Sequence, residues 1–166
     1  MASRYFTLDE AEAMLPMVRS LLGQALQLHA HLRTGLARLS ADGHTINWSI
    51  LRGEEELDDS DELSAEDLAR ARMIYSALRE IVSEIEALGV EVKSVTSGLV
   101  DFRSWCDGDR EVLLCFRLGE SRITHFHGVE AGFAGRESVE GHSFSSSPPS
   151  TPASAAVTTG TVTQSQ

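Results

Sequence analysis

The sequence lacks several features that mark secreted, disulfide-stabilised and membrane-spanning proteins. Its two cysteines, Cys106 and Cys115, are too few for a disulfide framework and do not form a CxxC motif, so a reducing compartment suits the chain. No apolar run reaches the roughly 20 residues that span a bilayer, and the N-terminus has no apolar stretch typical of a secretory signal. These absences predict a cytoplasmic protein that does not enter a membrane.

Basic residues are also scarce. The chain has 14 Lys and Arg against 25 Asp and Glu, which gives a formal net charge of -11. Because contacts with nucleic-acid phosphates require clustered Lys and Arg, this balance argues against a nucleic-acid partner. Much of the negative charge lies in the segment EEELDDSDE at 54–62, which we expect to be a solvated part of a linker.

Charge is absent from the C-terminal segment, residues 143–166, which holds three of the four prolines in the chain. Such a segment buries too little apolar surface to offset the loss of chain entropy on folding. We therefore predict a disordered tail over 143–166 and a single domain over 1–142.

The N-terminal region has the residue pattern of a helix start. Thr7 followed by Glu10 forms a capping box, which predicts a helix that begins just after Thr7. Pro16 removes one backbone hydrogen bond and disfavours helix at Leu15. We therefore expect a short helix over 8–14, a break, and a second helix that starts at Pro16, where proline fits the first turn.

Two long segments, 16–39 and 65–88, share a heptad pattern of apolar residues spaced alternately three and four apart. The seam of the first segment consists of Leu15, Val18, Leu22, Ala25, His29, Leu32, Leu36 and Leu39. The seam of the second consists of Leu68, Ala71, Tyr75, Leu78, Val82 and Ile85. Equal length and a shared period predict a coiled-coil-like antiparallel helical hairpin, joined by an unusually long linker over 40–63.

Apolar residues beside the seams widen the apolar stripe of each helix beyond what one partner helix covers. They are Met14, Leu21, Leu28, Ile74 and Ile81. Either the rest of the domain or another subunit must cover this extra surface. We therefore predict a homo-oligomer, such as a dimer, or a protein partner that binds through the helix faces.

Beyond the second helix the apolar period changes to two, which predicts β-strands. Val90 and Val92 alternate, and GLVDF at 98–102 has the composition of a short strand. The clearest strand is REVLLCFRL at 110–118, and RITHFH at 122–127 follows it across a tight turn. The predicted fold is α+β: a long helical hairpin with a short N-terminal helix, then a small, mostly antiparallel sheet of three or four strands.

The segment His125-Phe126-His127, followed by Glu130, is a candidate site for a transition metal such as Zn or Fe. Residues i and i+2 of a strand share a face, and their side chains lie roughly 7 Å apart. Neutral imidazole suits both ions, and Glu130 would add a carboxylate.

The turn before these histidines decides which residues surround them. A two-residue turn places both histidines on the face of Leu114 and Phe116, which is an awkward core face for imidazole. A three-residue turn places them with Leu113 and Cys115 instead, where Cys115 completes a cluster of soft donors. The sequence leaves both registers open.

The glycine-rich segment GVEAGFAGRE follows directly. Its glycines, Gly128, Gly132 and Gly135, indicate close or left-handed backbone. We expect Phe133 to anchor the segment in the core, and Arg136 to pair with a carboxylate or an anionic ligand. The sequence contains neither a GK[ST] phosphate loop nor a legible Ser-His-Asp or Cys-His nucleophile set.

Several motifs together resemble a widespread bacterial family that is catalogued as a domain of unknown function. They are YFTLDEAEAMLP (5–16), LGVEVK (88–93), GLVDF (98–102), VLLCFRLGE (112–120) and HFHGVEAGFAGR (125–136). The resemblance implies the helical hairpin and small sheet but no chemistry. The family residues it carries over are Cys115, Arg117, Glu120, His127, Glu130, Phe133 and Arg136. His125 departs from the family pattern, which has an aromatic residue there.

Two functional hypotheses follow. The first is a non-catalytic module that self-associates or binds a protein partner. The second is a metal- or small-anion-binding protein or enzyme, with its site between the sheet and the 128–136 loop. The candidate metal ligands are His127, Glu130, His125 and Cys115, and the candidate ligand-binding residues are Arg136, Glu120 and Arg117.

Overall fold

The computed structural model describes residues 3–57 and 62–149. Within these ranges the fold is α+β, as predicted, with helices first and an antiparallel sheet after them. The helices are α1 (Leu8–Ala41), α2 (Trp48–Arg52) and α3 (Glu62–Ala87). The strands are β1 (Val90–Ser94), β2 (Leu99–Cys106), β3 (Arg110–Arg117), β4 (His125–Gly128), β5 (Glu137–Ser138) and β6 (Phe144–Ser145).

Helix α1 begins as predicted but does not break at Pro16. The Thr7 side chain accepts a hydrogen bond from the Glu10 backbone, and the Glu10 carboxylate accepts one from the Thr7 backbone. The helix then continues through Pro16 as one element, so the predicted short helix over 8–14 and the break are wrong. The lost backbone bond costs about 3 kcal/mol, and the buried Leu15 and Val18 on both sides of Pro16 offset that cost by packing on the sheet.

Helices α1 and α3 pack antiparallel along the predicted seams. Leu22 of α1 shares a core cluster with Ile85 near the end of α3, whereas Leu39 at the other end of α1 shares another with Leu68 near the start of α3. The flanking residues pack within the chain: Leu21 is buried and Met14 and Ile81 are partly buried in the core that includes the sheet, and Leu28 and Ile74 are partly buried within the hairpin. Other apolar side chains of the helices stay open to solvent, with Met17 55% and Met73 74% exposed, and self-association stays a prediction.

The linker between the long helices contains α2, which closes the tip of the hairpin. Asn47 caps its N-terminus and Gly53, at φ 75°, ends it in the left-handed conformation. Ile50 and Leu51 are buried against α1 and α3, whereas Trp48 remains 64% exposed. The acidic part of the linker falls partly outside the described residues.

The sheet has the strand order β1-β2-β3-β4-β5, with β6 paired to β2, and every pairing is antiparallel. These six strands are more than the three or four that the sequence predicts. The strands that it does not predict, β5 and β6, contain only two residues each. One face of the sheet packs on the helices. Its residues are Val90, Val92, Val100, Phe102, Val112, Leu114, Phe116 and Phe126.

The connection between β3 and β4 is longer than the predicted tight turn. Strand β4 begins only at His125, so Arg122–Thr124 does not continue it. Helix α1 holds this connection instead: Glu12 accepts a hydrogen bond from the Ile123 backbone, and Arg19 donates to the carbonyl of Glu120. Because Ile123 is also buried in the core, this segment satisfies its backbone against α1 rather than in the sheet.

Strand β6 lies beyond residue 142, where the tail was expected to begin. Phe144 and Ser145 pair with Cys106 and Trp105 of β2. Residues 150–166 of the predicted tail lie outside the described residues. Among the helices of the described ranges, none has an apolar stretch of the length that crossing a bilayer requires.

Candidate metal centre

Three adjacent strands bring one Asp, one Cys and one His together on the sheet face that points away from the helices. We call Asp101 of β2, Cys115 of β3 and His127 of β4 the sheet cluster. Asp101 lies directly opposite Cys115, and His127 is the diagonal neighbour of Cys115 because it pairs with Leu113. Residues at such positions on neighbouring strands are within reach of one another.

The sheet cluster is closely spaced and buried. Its candidate donor atoms, a carboxylate oxygen, the thiol sulfur and an imidazole nitrogen, all lie within 4.8 Å of one another. Asp101, Cys115 and His127 are 1%, 2% and 4% exposed. Polar groups taken out of water to this extent cost stability unless they are paired, so the cluster requires an explanation.

The imidazole of His127 presents one nitrogen to the other two members. Its Nδ1 lies 2.9 Å from the carbonyl oxygen of Gly128, which can only accept, so Nδ1 carries a hydrogen. Its Nε2 lies 3.3 Å from Oδ2 of Asp101. Two lone pairs would face each other here, so a proton or a metal cation must lie between these atoms.

The carboxylate of Asp101 is incompletely paired. Lys93 Nζ lies 3.9 Å from Oδ2, whereas Oδ1 is buried and has no hydrogen-bond partner among the described residues. Burial raises the pKa of Asp101 above its ordinary value, and His127, Lys93 and a contact with the Cys115 thiol act in the opposite direction. Burial therefore outweighs the positive charge and the hydrogen bonding that this carboxylate receives.

The thiol of Cys115 is protonated in the absence of a cation. Burial, and then the negative charge of Asp101, raise its pKa from 9.0 to about 12, although the nearby guanidinium of Arg136 acts in the opposite direction. A thiol in such an environment is inert as a nucleophile. It becomes a strong ligand only when a metal ion displaces its proton.

A second group of the same residue types lies at the end of β2. We call Cys106, Asp107 and His142 the clasp, since they connect the β2–β3 turn to the segment before β6. One oxygen of Asp107 accepts from the Ser143 backbone at 3.0 Å, and the other lies 2.7 Å from Nδ1 of His142. These contacts, the Ser143 bond first, hold the pKa of Asp107 well below its usual range. Protein partners therefore already satisfy this carboxylate.

The model of an uncharacterised conserved protein family, DUF2203, matches residues 4–139. The chain belongs to the DUF2203 family. This confirms the resemblance to a family of unknown function. No curated protein and no solved structure matches the chain.

The DUF2203 match contains all three members of the sheet cluster, whereas His142 of the clasp lies beyond it. The observed register places the histidines with Leu113 and Cys115, the second of the two alternatives, although the turn is longer than three residues. Only one histidine joins the cluster: His125 instead binds Thr124 through its Nδ1 at 2.8 Å.

The other predicted site residues of this DUF2203 chain do not belong to the sheet cluster, although the charges of Arg136 and Glu120 act on the Cys115 thiol. Glu130 is exposed in the turn after β4. Glu120 accepts a hydrogen bond from the Arg117 backbone at 2.7 Å, which closes the turn after β3, and the Arg117 side chain is exposed. The four side chains Glu120, His127, Glu130 and Arg136 therefore do not form the donor set.

The glycine-rich loop also differs from its prediction. Phe133 is 37% exposed, so it does not anchor the loop in the core. The guanidinium of Arg136 stacks 3.7 Å over its ring instead, and its charge favours the Cys115 thiolate.

Sequence reasoning did not identify Asp101 as a ligand. The available signal was a single acid between Val100 and Phe102 in an otherwise apolar strand.

Proposed function

We propose that this DUF2203 protein binds one transition-metal ion, Zn²⁺ or Fe²⁺, through Asp101, Cys115 and His127. The observation that carries the proposal is the direction of the His127 ring. With Nδ1 fixed by the Gly128 carbonyl, Nε2 faces the carboxylate of Asp101 in a buried site. Histidine ligands commonly have this arrangement, in which a carbonyl holds one nitrogen and leaves the other for the metal.

The donor set fits such an ion chemically. Thiolate, imidazole and carboxylate are all ligands of zinc, and around a tetrahedral ion neighbouring donors lie roughly 3.3–3.6 Å apart. The observed 3.3 Å between His127 Nε2 and Asp101 Oδ2 already has this spacing. A divalent cation would also supply the positive charge that the Asp101 carboxylate lacks and would replace the Cys115 proton.

The ion would join three strands rather than present a reactive face to solvent. Its ligands come from β2, β3 and β4, and each is at most 4% exposed. Buried sites of this kind contribute to folding, because the ion binds the folded chain only. Three protein donors leave one position of a tetrahedral ion for water or a small anion, and the charge of Arg136 supports an anion there.

Zinc titration of the chelator-stripped, reduced protein, purified without a histidine tag, tests this proposal. Calorimetry should show one Zn²⁺ per wild-type chain. His127→Ala removes a ligand, so it should weaken binding by more than the roughly 10–100-fold that loss of an outer partner costs. The matched control is His142→Ala, which removes a histidine from the clasp and should leave the zinc affinity unchanged.

Circular dichroism should show that both variants remain folded. Equal zinc affinity in His127→Ala and the wild type, or no stoichiometric zinc binding by the wild type, would contradict the proposal. Repeating the titration with Fe²⁺ under anaerobic conditions identifies the preferred ion.

A further inference from the structure

The first strand of the sheet has one open edge. Within residues 3–57 and 62–149, β1 pairs with β2 alone and forms the end of the strand order. A strand edge carries unpaired backbone N–H and C=O groups, which makes it a template for another strand. Natural edge strands are usually protected by charges or bulges, and the pairing of β1 with β2 is irregular between Val92 and Ser94.

An open cavity of about 690 Å³ runs along this edge. Val90 and Val92 line it from the strand, and Ser83 and Glu86 line it from the last turns of α3. The edge is therefore accessible rather than covered by the neighbouring helix.

Two side chains of β1 carry opposite charges two residues apart. Glu91 and Lys93 lie on the same face of the strand, with their carboxylate and ammonium groups 2.6 Å apart and their side chains 29% and 38% exposed. Within the chain Glu91 also pairs with Arg103, and Lys93 Nζ lies 3.9 Å from Asp101 Oδ2. Charged residues on an edge strand discourage pairing with arbitrary partners, because most registers leave them unpaired or against a like charge. One partner, however, matches this pattern.

That partner is a second copy of β1. In an antiparallel pair related by a two-fold axis, residues that lie directly opposite each other point to the same face of the sheet. Because side chains alternate along a strand, the residue numbers of such an opposed pair must differ by an even number. Centring the axis on Val92 places Glu91 opposite Lys93 of the second copy and Lys93 opposite its Glu91. Centring it on Glu91 or on Lys93 opposes two like charges instead. The charge pattern therefore permits one register and disfavours its neighbours.

We propose that the chain forms a symmetric dimer in which the β1 edges of two copies pair antiparallel about Val92. The two sheets then become one continuous sheet, with both helical layers on the same side. The two intrachain Glu91–Lys93 pairs, one in each copy, are exchanged for two pairs between the copies. This surface is separate from the helix faces, and it borders the sheet cluster, because Lys93 Nζ lies 3.9 Å from Asp101 Oδ2.

Charge reversal on the full chain tests the register. Sedimentation velocity over a wide concentration range should show a dimer for the wild type. Glu91→Lys alone opposes two pairs of lysines, and Lys93→Glu alone opposes two pairs of glutamates. Each should weaken dimerisation by at least about tenfold, because two attractive cross-strand pairs become repulsive.

Mixing the two single variants should restore the dimer as a heterodimer, since each lysine of one chain then faces a glutamate of the other. The double variant Glu91→Lys with Lys93→Glu should form a homodimer for the same reason. Restoration also shows that the single variants are folded. Glu66→Lys changes the net charge equally at an exposed position of α3 and should leave the dimer unchanged.

Three outcomes would overturn the proposal. A wild-type chain that stays monomeric at all concentrations leaves the edge without a second copy. Single variants that dimerise as the wild type does, or a mixture that stays monomeric, exclude the register. A dimer that survives Glu91→Lys but is lost in Met73→Glu, at a position that is 74% exposed on α3, places the interface on the helices.

Discussion

The sheet cluster and the clasp contain the same three residue types but differ in how their polar atoms are satisfied. In the clasp, hydrogen bonds from neighbouring groups satisfy both oxygens of an exposed Asp107. In the sheet cluster, a buried Asp101 has one oxygen without a partner and the other facing a ring nitrogen. Composition and spacing alone therefore do not distinguish a metal site from a structural contact. Burial combined with missing partners does.

The energetic consequence also differs. A satisfied surface contact stabilises the fold slightly and needs no further ion. A buried, underpaired carboxylate beside a protonated thiol destabilises the metal-free fold, and a cation would reverse that effect.

The largest expected effect is the pH dependence of zinc binding to the sheet cluster. Because the pKa of the Cys115 thiol is raised to about 12, zinc must displace its proton throughout the neutral range. Each displaced proton makes affinity rise about tenfold per pH unit, so a gain of at least about 100-fold, or ~2.7 kcal/mol, is expected from about pH 6 to about pH 8. Competition with a chelating dye measures this change.

The control for that slope is Cys115→Ala. Without the thiol, one proton fewer leaves on binding, so the variant should bind weakly and with a slope lower by about one decade per pH unit. A wild-type affinity that does not change with pH would show that the thiol is not a ligand.

A smaller effect is expected on the free energy of unfolding of the metal-free protein, which Asp101→Asn should increase. The folded-state pKa of Asp101 is raised. As the pH rises from the pKa of Asp101 in the unfolded chain through its higher pKa in the folded chain, ionisation of Asp101 therefore favours the unfolded chain. Removing this charge should therefore stabilise the metal-free fold at neutral pH by on the order of 1 kcal/mol. Urea unfolding at neutral pH and below about pH 4 checks this, since the gain should disappear in acid.

With saturating zinc the sign should invert, because the asparagine variant loses a ligand that stabilises the folded state. A variant that is less stable than the wild type both with and without zinc would indicate that Asp101 is an ordinary structural residue.

Local sequence patterns predicted most of the fold. The capping box at Thr7, the two seams and the change to a period of two beyond α3 all correspond to observed elements. The failure at Pro16 has a tertiary cause, since the sheet stabilises a helix that proline alone would interrupt. The strands β5 and β6 have two residues each, which is too short for any periodicity.

The candidate site was predictable only in part. Cys115 and His127 were proposed from residue type and alternation, and the structure brings them together. His125, directly opposite Cys115, turns to Thr124 instead, a side-chain choice that alternation does not encode. Asp101 was missed because a strand pattern shows which residues share a face but not which strands are neighbours.

The smallest effect concerns the clasp and should appear only in acid. The pKa of Asp107 is lowered in the folded state, so its contribution is present above the ordinary value of 3.8 and is lost as pH falls towards the folded value. Asp107→Asn keeps a residue type that tolerates the left-handed backbone, at φ 53°, while removing the charge. The melting temperature of the variant should lie slightly below that of the wild type at neutral pH and converge with it below about pH 4.

Asp109→Asn, in the same turn, is the matched control and should not show this convergence. Because the contact is exposed, added salt should also reduce the difference in melting temperature between Asp107→Asn and the wild type at neutral pH. A change in the zinc affinity of Asp107→Asn would contradict the distinction between the sheet cluster and the clasp.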